Sequence, residues 1–179
     1  MDSTANEKVK LVKYTPELEV NFADFDCGVD DINHYLQTRL VREAGNRLVI
    51  PYMLIAEENN ELVGFFTLSS HSVEKVHLNS ATKRKVPYQS FSAIMIGKLA
   101  VDKKWQGYKF GQRLLSQAVH NGWLSSRDVG TLAMVLHSIE GKEGFYKEAG
   151  FMQSKCDPSL FIYPLRQYDN ELKKRIGKG

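Results

Sequence analysis

Along the chain, apolar residues first alternate with polar ones from Val9 to Tyr14, and Thr15-Pro16 stops the run, so the pattern predicts a short first strand. Residues 22 to 30 read as a turn. Ile32, Tyr35, Leu36 and Leu40 then share one face at helical spacing, which predicts a helix capped by Asp30 or Asp31 and ended near Ala44-Gly45-Asn46. Leu48 to Glu57 predicts a strand with Pro51 near an edge, an end or a bulge, and Glu58-Asn59-Asn60 a hairpin turn into a returning strand, Glu61 to Ser70. A long polar connection, Ser72 to Ser90, suggests a surface excursion. Ile94 to Val101 predicts a buried central strand, and the helix after Gly111 is expected to bury Leu114, Leu115, Ala118, Val119 and Trp123. A strand at Val129 to His137, a short helix ended by Gly150, a last strand at Ser159 to Leu165 and a charged helix or tail over 167–179 complete the pattern. Strands that lead into helices, preceded by hairpins, indicate a mixed α/β sheet, and a chain of 179 residues suits one domain, 1–179.

Composition narrows the classes. With 42% hydrophobic and 25% charged residues the chain is ordinarily globular, so a packed core is expected and disorder is not. It has no run of about 18 apolar residues, and the opening MDSTANEK lacks the basic and apolar regions of a signal peptide, so a cytoplasmic protein without a membrane association is expected. Cys27 and Cys156 are far apart and no histidine stands at ligand spacing from either, so neither a disulfide nor a metal site is expected. The formal net charge of +3 is compatible with a polyanionic partner without demanding one. Basic residues gather as Lys83-Arg84-Lys85, as Lys103-Lys104 with Lys109, and as Lys173-Lys174-Arg175 with Lys178. Each cluster alone reads first as solvated surface; together they make a polyanion grip only if they share a face.

The stretch with chemical content is IMIGKLAVDKKWQGYKFGQRLL, from Ile94 to Leu115. It reads as strand, tight turn and helix start. Gly107 and Gly111 stand at the two ends of the bend, where backbone can approach a ligand closely, and the first free N–H groups of the helix suit a pyrophosphate. Gln106, Gly107, Tyr108, Lys109, Phe110, Gly111 and Gln112 are therefore the candidate binding residues.

AVDKKWQGYKFGQRLL resembles motif A of the GNAT superfamily of N-acetyltransferases, whose signature is Gln or Arg, two residues, Gly, one residue, Gly or Ala. Gln106 and Gly111 match its ends, while its inner glycine falls on Lys109, whose ammonium suits a phosphate as a point charge. Residues 144 to 151, GFYKEAGF, resemble motif B, and the helix and strand between the two motifs fit that family. The resemblance implies a mostly antiparallel mixed sheet flanked by helices, with a splayed central strand pair holding acetyl-CoA as cosubstrate. It also implies that the backbone of Leu99, Ala100 and Val101 holds the thioester carbonyl and that Tyr146 gives a proton to the departing thiolate. Acetyl transfer in this family proceeds without a covalent enzyme intermediate. Cys27 is the competing nucleophile, but no histidine lies near it in sequence to activate it.

FDCGVDDINHYL, VGFFTLSS, IGKLAVD and CDPSLFIYPL, in this order over residues 22 to 165, are similar to segments of the GNAT toxins of type II toxin–antitoxin systems. That resemblance implies charged tRNA as acceptor, acetylated on the amino acid's α-amino group, and a ribbon-helix-helix antitoxin as partner. An α-amino group with a pKa near 8 needs no strong general base, and only Ser69, Ser70 and His71 offer a relay. A small amine or a protein N-terminus is the alternative acceptor, and a non-catalytic RNA-binding module is the reading from another class. Whether the chain forms a homodimer is left open by the sequence.

Overall fold

Alternating and continuous apolar runs become seven strands in this computed structural model, which describes residues 8–177. The sheet order is β1 (Val9–Lys13), β2 (Ile50–Ala56), β3 (Leu62–Glu74), β4 (Ser90–Val101), β5 (Ala133–His137), β7 (Leu160–Pro164), β6 (Met152–Gln153). Helices α1 (Asp30–Thr38), α2 (Leu40–Gly45), α3 (Ser80–Lys83), α4 (Phe110–Ser126), α5 (Glu143–Glu148) and α6 (Leu165–Ile176) fill the connections. The β1/β2, β2/β3, β5/β7 and β6/β7 registers are antiparallel, and β4/β5 is parallel through Ala93–Met95 and Ala133–Val135. The expected mixed, mostly antiparallel sheet is therefore present.

The chain packs as two compact units. The first comprises the residues up to Ser69 together with Gly97–Gln117. Its core sets Phe25, Ile32, Tyr35, Leu36 and Leu40 against Met53, Ile55 and Phe65. Each such large side chain taken from water contributes about 1.5–3 kcal/mol before chain entropy is counted. Pro51, second residue of β2, sits near the strand end as its missing N–H requires, and its carbonyl accepts from Tyr14 N at 2.9 Å. The second unit comprises Ser70–Ile96 and the residues from Ala118 on. There Val73, Leu78, Phe91 and Ala93 pack with Ala133, Val135, Leu160 and Ile162.

Several expected boundaries move. The helix expected from Asp30 to Ala44 breaks at Arg39 into α1 and α2, and Val29, not an aspartate, occupies its N-cap without a side-chain cap. Asp30 and Asp31 lie in the first turn, where they oppose the positive end of the helix dipole. β3 runs to Glu74, so Ser69, Ser70 and His71 lie within the strand and not at its end, and the polar connection shrinks to Lys75–Gln89. Trp123 is half-buried: its indole Nε1 donates to Asp169 Oδ1 at 2.8 Å, so the ring keeps one polar edge toward α6. β6 has no counterpart in the sequence pattern, because two residues are too few to show a period. Lys178 lies outside the described residues.

Candidate functional site

At the end of β4 the chain bends sharply, and four residues decide how. Asp102 is buried, at 4% exposure, and its Oδ1 accepts Lys104 N at 2.9 Å to cap the 3-10 turn Lys103–Trp105. Gly107 follows with φ +88°. A methyl group there would meet nothing within 4 Å, so glycine is required for the backbone angle and not for space. Lys109 also adopts the left-handed conformation, φ +65°. The position at which the GNAT signature has its inner glycine thus keeps a glycine-like backbone despite carrying a side chain, at a cost of about 1–2 kcal/mol. Trp105 packs edge-on against Phe110, centroids 5.8 Å apart, and ties the bend to α4.

The bend aims donors outward. The bond that opens α4 runs from Arg113 N to Lys109 O at 3.1 Å, so the amides of Phe110, Gly111 and Gln112 precede any acceptor within the helix. Such a helix N-terminus, with its free amides and the positive end of the helix dipole, favours an anion. Lys109 is exposed beside it.

The strand leading into the bend sorts its own amides. Lys98 N donates to Thr67 Oγ1 at 3.0 Å and Asp102 N to Val63 O at 2.9 Å, both toward β3. The two-residue period of a strand puts Ala100 on that same edge. Leu99 and Val101 face the other way, so of the three backbone positions expected to hold a carbonyl, only these two present N–H groups away from β3. Gly64 makes the arrangement possible. A methyl group on it would lie 2.6 Å from Ala100 O and 2.8 Å from Leu114 Cδ1, so only glycine lets β3, β4 and α4 approach this closely.

Gln106 has a different part from the one its place in the motif suggests. Its Nε2 donates to Cys27 O at 3.0 Å and to Val101 O at 2.9 Å, so both amide protons are committed within the protein. Leu99 through Gln112 all belong to the first unit; Tyr146 belongs to the second.

Tyr146 lies on α5, which ends where Gly150 takes φ +93°. Its half-buried ring contacts Phe145, Phe151 and Phe161 at centroid distances of 5.1, 6.3 and 5.7 Å. Burial among these rings pushes the phenol above its ordinary pKa, so it stays protonated at neutral pH. Among the described residues its hydroxyl has no hydrogen-bond partner. The group is a proton donor with its proton uncommitted.

The rival nucleophile fares poorly. Cys27 is buried, burial raises its pKa, and Sγ sits 3.7 Å from Val29 O, whereas a reactive thiol needs exposure and a neighbouring positive charge. The basic clusters also separate. Lys103 pairs with Asp26 and Lys104 with Glu61, each at 2.8 Å, which leaves Lys109 as the unpaired cation of that group. Lys173, Lys174 and Arg175 lie in the last turn of α6, where the helix dipole favours them. Lys75, Lys83 and Arg84 line a hollow of about 660 Å³, and no carboxylate pairs with them or with Lys85 among the described residues. Sequence reasoning missed Gly64, Asp26 and Asp102. Asp102 carried a local signal as a capping residue ahead of a short turn, and Asp26 one as an Asx-turn residue two positions before Gly28; Gly64 carried none.

Comparison with known proteins identifies the family and the fold. The family model for the acetyltransferase (GNAT) domain matches residues 51–153. A tRNA-acetylating toxin of Mycobacterium tuberculosis is 27% identical over 138 residues, 75% of this chain and 80% of that one. A tyrosine-to-phenylalanine mutant of KacT superposes with a TM-score of 0.87 at 25% identity, covering 92% of this chain and 99% of that one. AtaTR bound with acetyl-CoA gives 0.79 at 26% identity, covering 92% and 98%. AtaT complexed with acetyl-methionyl-tRNAfMet gives 0.87 at 24%, covering 92% and 99%. Among the described residues no helix is long and apolar enough to cross a membrane.

Proposed function

The chain belongs to the GNAT acetyltransferase family, and on that premise we propose that it transfers the acetyl group of acetyl-CoA to the α-amino group of an amino acid carried on tRNA, acting as a cytoplasmic toxin that arrests translation. The observation that carries the reading is the bend itself, with Gly107 and Lys109 both left-handed ahead of the free first-turn amides of α4. Those residues fit the diphosphate of a coenzyme, and the outward N–H groups of Leu99 and Val101 fit its acyl arm. The choice of acceptor draws on the tRNA-acetylating relative and on the complexes formed by AtaT.

Acetyl-CoA supplies the acyl group as a thioester. The neutral α-amine attacks the carbonyl carbon, the C–S bond breaks, and the amine's extra proton leaves to water. Negative charge that develops on the carbonyl oxygen meets the N–H groups of Leu99 and Val101, which are already oriented and need no reorganisation. Tyr146 gives its phenolic proton to the sulfur. Burial keeps the phenol protonated until the thiolate forms, and the tyrosinate left behind regains its proton from solvent.

No strong catalytic base is needed for an amine with a pKa near 8, about a tenth of which is neutral at pH 7. His71, exposed on β3, is free to relay a proton to solvent. Lys75, Lys83, Arg84 and Lys85, without carboxylate partners, supply the salt-sensitive contact with tRNA phosphates, whereas Lys103 and Lys104 are neutralised. A ribbon-helix-helix antitoxin completes the reading as partner. The test is to incubate the protein with acetyl-CoA and charged tRNA, release the aminoacyl group and weigh it. An added acetyl group on the α-nitrogen is expected; acetyl groups found only on polyamines or peptides offered in parallel would overturn the choice of acceptor.

A further inference from the structure

The turn at residues 26–28 has no chemistry of its own, yet backbone and side-chain hydrogen bonds lace it to the coenzyme bend. Asp26 N donates to Asp102 Oδ2 at 2.9 Å, and Lys103 N donates to Asp26 O at 2.8 Å. The Asp26 carboxylate accepts Gly28 N and Asn33 Nδ2 on Oδ1, both at 2.8 Å, and Lys103 Nζ on Oδ2 at 2.8 Å. Asn33 Oδ1 in turn accepts Cys27 N at 2.9 Å. Gln106 closes the lace by donating to Cys27 O and Val101 O. The two sides are joined across 76 and 79 residues of chain.

We propose that this turn is a brace that sets the coenzyme bend, with Asp26 and Gln106 as positioning residues for acetyl-CoA. The inference rests on the reading of residues 106–112 as the diphosphate site. Its physical basis is preorganisation: backbone donors bind an anion well only if their directions are fixed before the anion arrives. Residues 106–109, between the 3-10 turn and α4, contain two left-handed positions and no regular structure to hold them. The brace fixes the bend at Lys103 and at Gln106. The pairing of Asp26 with Lys103 also matters for sign. A bare carboxylate beside a diphosphate would repel it, and the ammonium cancels that charge, so the brace holds the bend without opposing its ligand.

The test compares CoA binding by calorimetry in wild type, Asp26→Ala, Lys103→Ala and the double variant. Hydrogen bonds to charged groups of this kind correspond to about tenfold or more in affinity, so Asp26→Ala is expected to raise Kd and the KM for acetyl-CoA by about tenfold. The KM for the acceptor and kcat at saturating acetyl-CoA should stay near wild type, a split that general loss of structure does not produce. The double variant should bind no worse than Asp26→Ala alone, because one tether cannot be lost twice. Additive losses would mean that Lys103 touches the coenzyme directly and would overturn the brace. Asp26→Asn keeps an acceptor for Gly28 N and is the variant to use if the alanine form fails to fold; it is expected to fall between the two. Wild-type binding in both Asp26 variants removes the brace and leaves the cradle standing, whereas a wild-type chain that takes up no CoA removes the cradle and the brace together.

Discussion

The bend between Val101 and α4 and the surroundings of Tyr146 are built by opposite means. The bend, which the proposed function makes the coenzyme site, fixes its donors with polar scaffolding: a buried aspartate, a committed glutamine, an ion pair and two left-handed residues. Tyr146, which the proposed function makes the donor of one proton, is surrounded by three aromatic rings with no hydrogen bond to its hydroxyl among the described residues. A binding site for an anion gains from being tied down. A proton donor gains from being left untied, since every partner that accepts its proton in the resting state competes with the sulfur that is meant to receive it.

The sharpest test of that contrast is Tyr146→Phe. Loss of a positioned acid is expected to lower kcat on the order of 10²–10⁴-fold. Because the hydroxyl has no partner to abandon, the melting temperature and the Kd for CoA should not move. A variant that keeps its full rate would reduce the aromatic surroundings to packing, and the comparison would fail.

Gly64→Ala attacks the other region through its tightest contact. The added methyl group would meet a backbone oxygen, Ala100 O, at 2.6 Å, and a carbonyl of a central strand cannot swing aside as a side chain can. β3 and β4 must part, at a cost on the order of 1–3 kcal/mol, which lowers the melting temperature of a chain this size by about 5 °C. The outward amides of Leu99 and Val101 move with β4, so CoA affinity should fall as well. Here stability and binding change together, where Tyr146→Phe separates rate from both. Unchanged melting in Gly64→Ala would show that β3 and β4 yield at this point.

How much of this was legible in the sequence follows from the range of each interaction. The strand–turn–helix and its glycines were readable because they are local: the two glycines that mark the bend fall within six residues, Gln106 to Gly111. Tyr146 was found through a motif, and its aromatic surroundings lie partly in the same motif, at Phe145 and Phe151. The brace was not readable. Asp26 and Asp102 are separated by 76 residues, and nothing in FDCGVDD says that the Asp26 amide will donate to a carboxylate so far along the chain. The extension of β3 from His71 to Glu74 was missed because the residues there are exposed apart from Val73, so no apolar alternation marks the strand. Arg39 broke a helix whose apolar spacing ran straight through it.

Lys109 is where the sequence departs from the family signature and the backbone does not, so it can separate shape from charge within the bend. At φ +65° a lysine is strained by about 1–2 kcal/mol, which glycine would relieve. Glycine also loses more chain entropy on folding, about 0.5–1 kcal/mol, so the net gain expected for Lys109→Gly is only about 0.5 kcal/mol. That corresponds to a rise of about 1–2 °C in melting temperature, small but measurable against wild type. Removal of the ammonium pulls the other way on ligand binding. If the side chain meets a phosphate as a point charge, Lys109→Gly should bind CoA more weakly than wild type while melting higher, and Lys109→Gln should show the same weakening with no gain in stability. Should both variants bind as wild type does, the ammonium contributes nothing and the bend holds its ligand by backbone alone. Should Lys109→Gly melt lower, the left-handed turn is held by the lysine side chain, and shape and charge in the bend are not separable.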